Sequence, residues 1–261
     1  MTEIKKTLAI LKARWPEVTL LIGLSLLLSL GILFRPEKSE LTPIILVLYI
    51  CFPLPLSLIL IMLYFGFQRT VYLEGPKRQS PIVLLRVGKH FFWRMVGFGL
   101  IYIPVFWVLA WLTFLAIKQF TSIETGFLET AKVAPLVYQL CFTTATLILI
   151  KPLLLIFPLI VVLDCRISRS FKLLKQCKLS DARELVILFL ISMAITFLWV
   201  FLPSIKSVAT IPQYVLIVAW SVIQHFIGLM IAVMAVRFVA SLHLVYDEQI
   251  SPSDSQRFTE E

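Results

Sequence analysis

The chain has 261 residues, of which 59% are hydrophobic and only 15% charged, with a net charge of +9 and a mean hydropathy of +0.94. A soluble domain carries roughly a quarter charged residues, so this composition excludes an ordinary soluble enzyme and leaves no room for a soluble catalytic domain. Nor does the positive charge point to nucleic acid: Lys and Arg flank long apolar runs, where they orient helices and meet anionic headgroups.

Taken in order, the apolar runs predict six spans, since about 20 residues cross a bilayer. Lysines precede the first run as in a signal peptide, but SLGILFRPEKSE offers no small-residue cleavage site. An uncleaved span at 18–34 is therefore expected. The second, at 45–67, contains FPLPL and is expected to kink at Pro53 and Pro55. The third covers 95–117. The fourth, 144–163, carries Lys151 in LILIKPLLLIFPL. The fifth and sixth cover 185–202 and 214–236. Unpaired backbone polar groups are too costly in lipid, so helices are the form expected for all six. An all-α membrane domain over 1–246 is followed by a polar, acidic tail at 247–261, expected to be disordered.

Orientation follows from the 24 Lys and Arg residues. Eighteen lie in the N-terminal segment, the second and fourth loops and the C-terminal tail. Five lie in the odd-numbered loops, and Lys151 is the remaining one. This asymmetry places both termini in the cytoplasm.

Each odd-numbered span is preceded by a basic amphipathic segment. In IKKTLAILKARW, Ile4, Leu8, Leu11 and Trp15 form one apolar stripe. In PIVLLRVGKHFFWR, Leu84, Val87 and Phe91 oppose Arg86, Lys89, His90 and Arg94. In RISRSFKLLKQCK, Ile167, Phe171 and Leu174 share a face turned away from Arg169, Lys172 and Lys175. Such helices are expected to lie in the headgroup region with the apolar stripe in the acyl boundary. The pattern predicts a threefold repeat of interfacial helix plus helical hairpin, against the plainer alternative of six spans joined by ordinary basic loops. Lys5, Lys12, Arg86, Lys89, Arg94, Arg169, Lys172 and Lys175 are the candidate contacts to anionic lipid headgroups. Asp181, with Glu184 three residues on, is expected to form a capping box opening the fifth span.

The opening LAILKARWPEVTLLIGLSLLL, the central FPLIVVLDCRISRSFKLLKQCKLSDARELVILFL and the closing RFVASLHLVYDE carry a resemblance to the uncharacterised YciC-type family of bacterial inner-membrane proteins. More distantly, the chain resembles the membrane domain attached to some glycerophosphodiester phosphodiesterases. The matching positions are Pro158, Asp164, Ser170, Lys172, Asp181 and Tyr246, whereas Ile167 and Arg169 stand where small residues are usual. The resemblance implies six spans and a bacterial inner membrane. It implies no activity, because the phosphodiesterase relatives keep their catalytic residues in a separate soluble domain.

Few residues carry chemistry. Lys151 is a lone cation among aliphatic residues and admits three readings: a lysine reaching for water past the span's outer end to meet Glu124 or Glu129, a cation lining a polar cavity, or a buried interhelical contact. Gln224 and His225 sit near the middle of the sixth span. They either hydrogen-bond to another helix or contact a ligand or proton. Gln139, Thr143, Thr144 and Thr146 can bond back to their own helix. Asp164 is expected to cap the amphipathic helix that follows it. Cys51, Cys141, Cys165 and Cys177 show no metal spacing and imply no disulfide framework. H-E-x-x-H, G-x-S-x-G, phosphate-cradling glycine loops and G-x-x-x-G are all missing. No enzyme, metal or cofactor is expected. The function expected is organisation or support of envelope components through lipid and membrane-protein contacts. The alternative is a transporter, or a subunit of one, for a lipid or anionic small molecule, with Lys151 in its cavity.

Overall fold

The computed structural model describes residues 2–33, 53–121, 134–199 and 211–242. Among these it has no strand and nine α-helices: α1 Glu3–Ala13, α2 Trp15–Leu33, α3 Pro53–Glu74, α4 Pro81–Thr121, α5 Ala134–Ile148, α6 Ile150–Leu163, α7 Ile167–Gln176, α8 Arg183–Trp199 and α9 Ile211–Ser241. A 3₁₀ turn, Leu179–Ala182, leads into α8. Among the described residues α3, Pro81–Gln119 of α4 and Val215–Ser241 of α9 are long and apolar enough to cross a membrane. The α5–α6 pair meets the same test as one bent span, and Trp15–Ser29 is apolar but shorter. Residues 34, 45–52 and 200–202 of the expected spans, with Glu124, Glu129 and the tail, lie outside the described residues.

Helix α4 corrects the expectation of a separate amphipathic segment before the third span. It runs unbroken for 41 residues, about 60 Å at 1.5 Å per residue, against a hydrocarbon core of about 30 Å. Its first turns lie back along α3. Leu84 and Phe91 are buried there, so the stripe expected in lipid packs on protein. Two glycines permit this approach. A Cβ on Gly66 would stand 1.9 Å from the Leu84 carbonyl oxygen, and one on Gly88 would stand 1.8 Å from that of Met62. Both pairs belong to one antiparallel register, and only hydrogen at both positions lets the backbones meet.

The segment expected to be the fourth span is bent rather than straight. Helices α5 and α6 meet at 56° across Leu149. Pro152 has no N–H for the Ile148 carbonyl and its ring crowds that carbonyl, so the helix breaks one turn before it. Bent in this way, α6 advances only about 12 Å along the direction of α5 although its own length is about 21 Å. It lies obliquely inside the protein, with Leu154, Leu155, Ile156, Leu159, Ile160, Val161 and Val162 all buried.

Around α6 gather Phe65 of α3, Phe91, Met95 and Phe98 of α4, Leu173 and Leu174 of α7, Leu185 and Phe189 of α8, and Met234 to Val236 with Val239 of α9. A second cluster joins Leu11 of α1, Val18 and Leu21 of α2, Leu63, Phe67 and Val71 of α3, Leu84 of α4 and Leu229, Met230 and Val233 of α9. Both collect where the Lys and Arg residues are densest, hereafter the basic end. Beyond them Leu100, Ile103, Trp107, Val108 and Trp111 of α4 stand exposed. A densely packed basic half thus carries an apolar half in which α4 and α5 meet through a smaller cluster, Ala110 with Val137, Cys141 and Ala145, while those α4 side chains face outward.

Packing also revises the other two stripes. In α7, Leu174 is buried and Ile167 and Phe171 pack against the α6 core, so its apolar face meets protein rather than acyl chains. In α1 the buried side is Thr7, Ile10 and Leu11, whereas Leu8 and Trp15 are exposed. The Asp181 capping box does not form either: Asp181 accepts from the Ser180 hydroxyl, and Glu184 accepts from the Ile4 amide of α1.

Candidate functional site

Three polar joints tie the helices together at the basic end. In the first, Arg14 occupies the corner between α1 and α2, 0% exposed, with its Nε paired to Glu17, 3% exposed. Arg14 also donates through Nη2 to Thr70 Oγ1 of α3 at 2.8 Å and lies 4.9 Å from the Phe67 ring centroid. The Glu17 carboxylate accepts the backbone N–H of Gln79 in the α3–α4 loop, and Arg78 Nε donates to the Ala13 carbonyl at 2.9 Å. A buried ion pair survives only when further hydrogen bonds compensate its desolvation; Thr70 and the Gln79 amide supply part of this, while Arg14 Nη1 is buried without a partner among the described residues.

In the second joint, Arg69 Nη1 donates to the carbonyls of Val161 at 2.7 Å and Val162 at 2.8 Å, two of the carbonyls left over at the end of α6. Asp164 closes α6 in the left-handed region, φ +47°. Its carboxylate takes Arg94 and lies 3.1 Å from His90 Nε2. Burial pulls the Asp164 carboxyl upward, but the hydrogen bonds and charges of Arg94 and His90 outweigh this and hold it below 3.8. Asp164 therefore caps the helix before it, not α7, whose N-cap is Arg166 with no side-chain cap.

The third joint closes the ring. Glu3 accepts from Arg237 Nε of α9 at 3.0 Å and from Lys6 Nζ at 2.6 Å. The hydrogen bond from Lys6, and the bond and charge of Arg237, hold its carboxyl below 4.5 against the effect of burial. The Ile4 amide, an orphan donor of the first turn of α1, is satisfied by Glu184 at 3.1 Å. The N-terminal helix and the far end of α9 are thereby held together.

Most of the predicted headgroup contacts stay outside these joints. Lys5, Lys12, Arg86, Lys89, Lys172 and Lys175 are exposed, Arg169 is half-buried, and Arg94 is half-buried against Asp164. Lys151 is half-buried in the first turn of α6. Burial pushes the Cys177 thiol up, and the Lys151 ammonium opposes that rise. Cys141, Cys165 and Cys177 are free and buried. Among the described residues no group of His, Cys, Asp and Glu could hold a metal ion.

Gln224 and His225 face a crevice between α2, α3 and α9. Leu21, Ser25, Leu60, Ile61, Tyr64, Phe65, Gly228 and Leu229 complete its lining, its volume is about 330 Å³, and Lys151 is not part of it. Gln224 also donates to Thr196 Oγ1 of α8 at 3.1 Å, the interhelical bond that its place in the sequence suggested. Tyr64 OH reaches the Gly228 carbonyl only at 3.5 Å. Ser25 had no signal in the sequence, since either serine of LLIGLSLLLSL resembles any helix hydroxyl. Arg14 and Glu17 did leave one, an i,i+3 pair around Pro16. No protein-family model, no curated protein and no solved structure matches the chain.

Proposed function

We propose that the chain is a non-enzymatic, multi-pass protein of a bacterial inner membrane, with six spans, both termini in the cytoplasm and anionic lipid bound at its basic end. In this reading it organises or supports envelope components through lipid and membrane-protein contacts, in keeping with its resemblance to YciC-type proteins. The observation that carries the reading is a sorting of charge. Glu3, Glu17, Asp164 and Glu184 are taken up by Arg237, Arg14, Arg94 and the Ile4 amide. Lys5, Lys12, Arg86, Lys89, Lys172 and Lys175 stand exposed on the same half. Each such cation contributes about 1 kcal/mol toward an anionic surface.

Replacing those six residues by Gln tests the proposal. In vesicles mixing phosphatidylcholine and phosphatidylglycerol, the variant is expected to lose the phosphatidylglycerol enriched around the wild-type protein, and high salt is expected to weaken that enrichment. Unchanged enrichment would count against it. The crevice and the bent α5–α6 pair favour the transporter as a second reading, since broken helices recur at transport sites. Substrate-dependent uptake into proteoliposomes separates the two.

A further inference from the structure

The crevice between α2, α3 and α9 brings together an unusual set of groups for an apolar helical bundle. Ser25, Tyr64, Gln224 and His225 face it, and its remaining walls are aliphatic or aromatic. Among the described residues neither the Ser25 hydroxyl nor the His225 ring has a hydrogen-bond partner. Ser29, one turn on, bonds back to the Ser25 carbonyl at 2.9 Å, the usual way a helix hydroxyl satisfies itself in lipid. Tyr64 OH makes the long contact to Gly228 and has the Gln68 side chain beside it one turn on. Gln224 spends its amide nitrogen on Thr196, which leaves its carbonyl oxygen as an acceptor. Polar groups in apolar surroundings cost free energy until they are hydrogen-bonded, so this set suits a ligand bearing one donor-acceptor group.

Charge and position narrow the ligand. No Lys, Arg, Asp or Glu lines the crevice, so an ionic headgroup would meet no counter-charge. Ser25 lies about 15 Å along α2 from Trp15, and His225 about 18 Å along α9 from Arg237. The crevice therefore sits above the ion-pair joints, where the packed half gives way to the outward-facing apolar half. Leu60 and Ile61 continue its wall in that direction. A molecule with a polar head at His225 would have its chain among lipid tails.

We propose that this crevice binds an uncharged lipid through its hydroxyl, held by Ser25, Tyr64, Gln224 and His225, with the hydrocarbon chain leaving past Leu60 and Ile61. An interhelical hydrogen bond in a membrane is worth about 0.6 kcal/mol on average, which is about threefold in affinity for each group removed.

The test uses the full chain in nanodiscs of phosphatidylethanolamine and phosphatidylglycerol. The probe is hexadecanol carrying a photoactivatable diazirine near its hydroxyl, and the control is the matching hexadecane derivative. Expected are adducts on peptides containing Tyr64 or His225, competed by unlabelled hexadecanol and not formed by the hydrocarbon. Ser25→Ala and His225→Leu are each expected to lower labelling about threefold. Gly228 has open space at its Cβ position, as does Gly23, which lies outside the crevice. Gly228→Leu should therefore abolish labelling, while Gly23→Leu, a substitution of equal size, should leave it intact. Equal labelling by alcohol and hydrocarbon would mean a groove filled by ordinary lipid tails and would overturn the proposal. So would labelling that survives Gly228→Leu, or its absence in a wild-type protein that elutes as a single species.

Discussion

Arg14 shows how a cation counted as a topology signal becomes part of the core. Its guanidinium is fully buried between Glu17, Thr70 and the Phe67 ring. Arg14→Ala leaves the Glu17 carboxylate buried and unpaired, and is expected to cost about 3–5 kcal/mol, read as a lower melting temperature in detergent. Replacing both partners in Arg14→Met with Glu17→Gln removes the stranded charge and should recover most of that loss. Asp164 offers a pH test. Its carboxyl is held below 3.8 in the folded protein, so its stabilising contribution is present above 3.8 and fades as pH falls through the lower folded value. Asp164→Asn is expected to lower stability at neutral pH and to flatten the acid loss that sets in as pH falls below 3.8. An unchanged acid limb would remove Asp164 from the second joint. Lys151 was legible as an oddity but not as a place. Its depth depends on the bend at Leu149, which counting residues along an unbroken helix does not include.

The element scale turns on how helices meet. Gly66 and Gly88 allow α3 and α4 to approach until backbone touches backbone. Gly66→Ala or Gly88→Ala is expected to destabilise by at least about 1–3 kcal/mol, the usual cost of overpacking, because the colliding atoms are carbonyls that no rotamer change can move. Gly23→Ala, with open space at its Cβ, serves as the control and should change stability little. Thermal unfolding of the three variants in one detergent checks the prediction. The helical nature of these segments was plain from long apolar runs, and the stripe of Leu84, Val87 and Phe91 marked the face that packs. What no single segment reveals is the partner. An apolar stripe beside lysines reads the same whether it faces acyl chains or α3, and two glycines 22 positions apart in sequence carry no visible relation. Helix α4 was legible in part: no proline interrupts the chain between Pro81 and Pro104, so nothing there demanded a break at Arg94.

At the scale of the whole molecule, the packed half and the outward-facing half divide the work. The two larger core clusters and the three joints lie at the basic end, and a smaller cluster between α4 and α5 holds the other half together. The exposed Leu, Ile and Trp side chains of α4 meet the surrounding solvent, which for such a surface is lipid. Segregation of Lys and Arg was fully legible, because position relative to apolar runs suffices for it. The crevice was not, because Ser25, Tyr64 and His225 come from three helices whose order around the bundle only tertiary packing sets. Sidedness of the basic end decides the whole reading. Single cysteines at Lys5, Lys89 and Lys175, and at Lys38 and Lys206 in the odd-numbered loops, would be placed in a background with the four native cysteines replaced by Ala. A membrane-impermeant thiol reagent would then be applied to right-side-out and inverted inner-membrane vesicles. With six spans and a cytoplasmic basic end, positions 5, 89 and 175 label only in inverted vesicles, and positions 38 and 206 only in right-side-out ones. If 38 or 206 labels from the same side as 89, the six-span arrangement is wrong, and with it the cytoplasmic lipid surface assigned to the basic end.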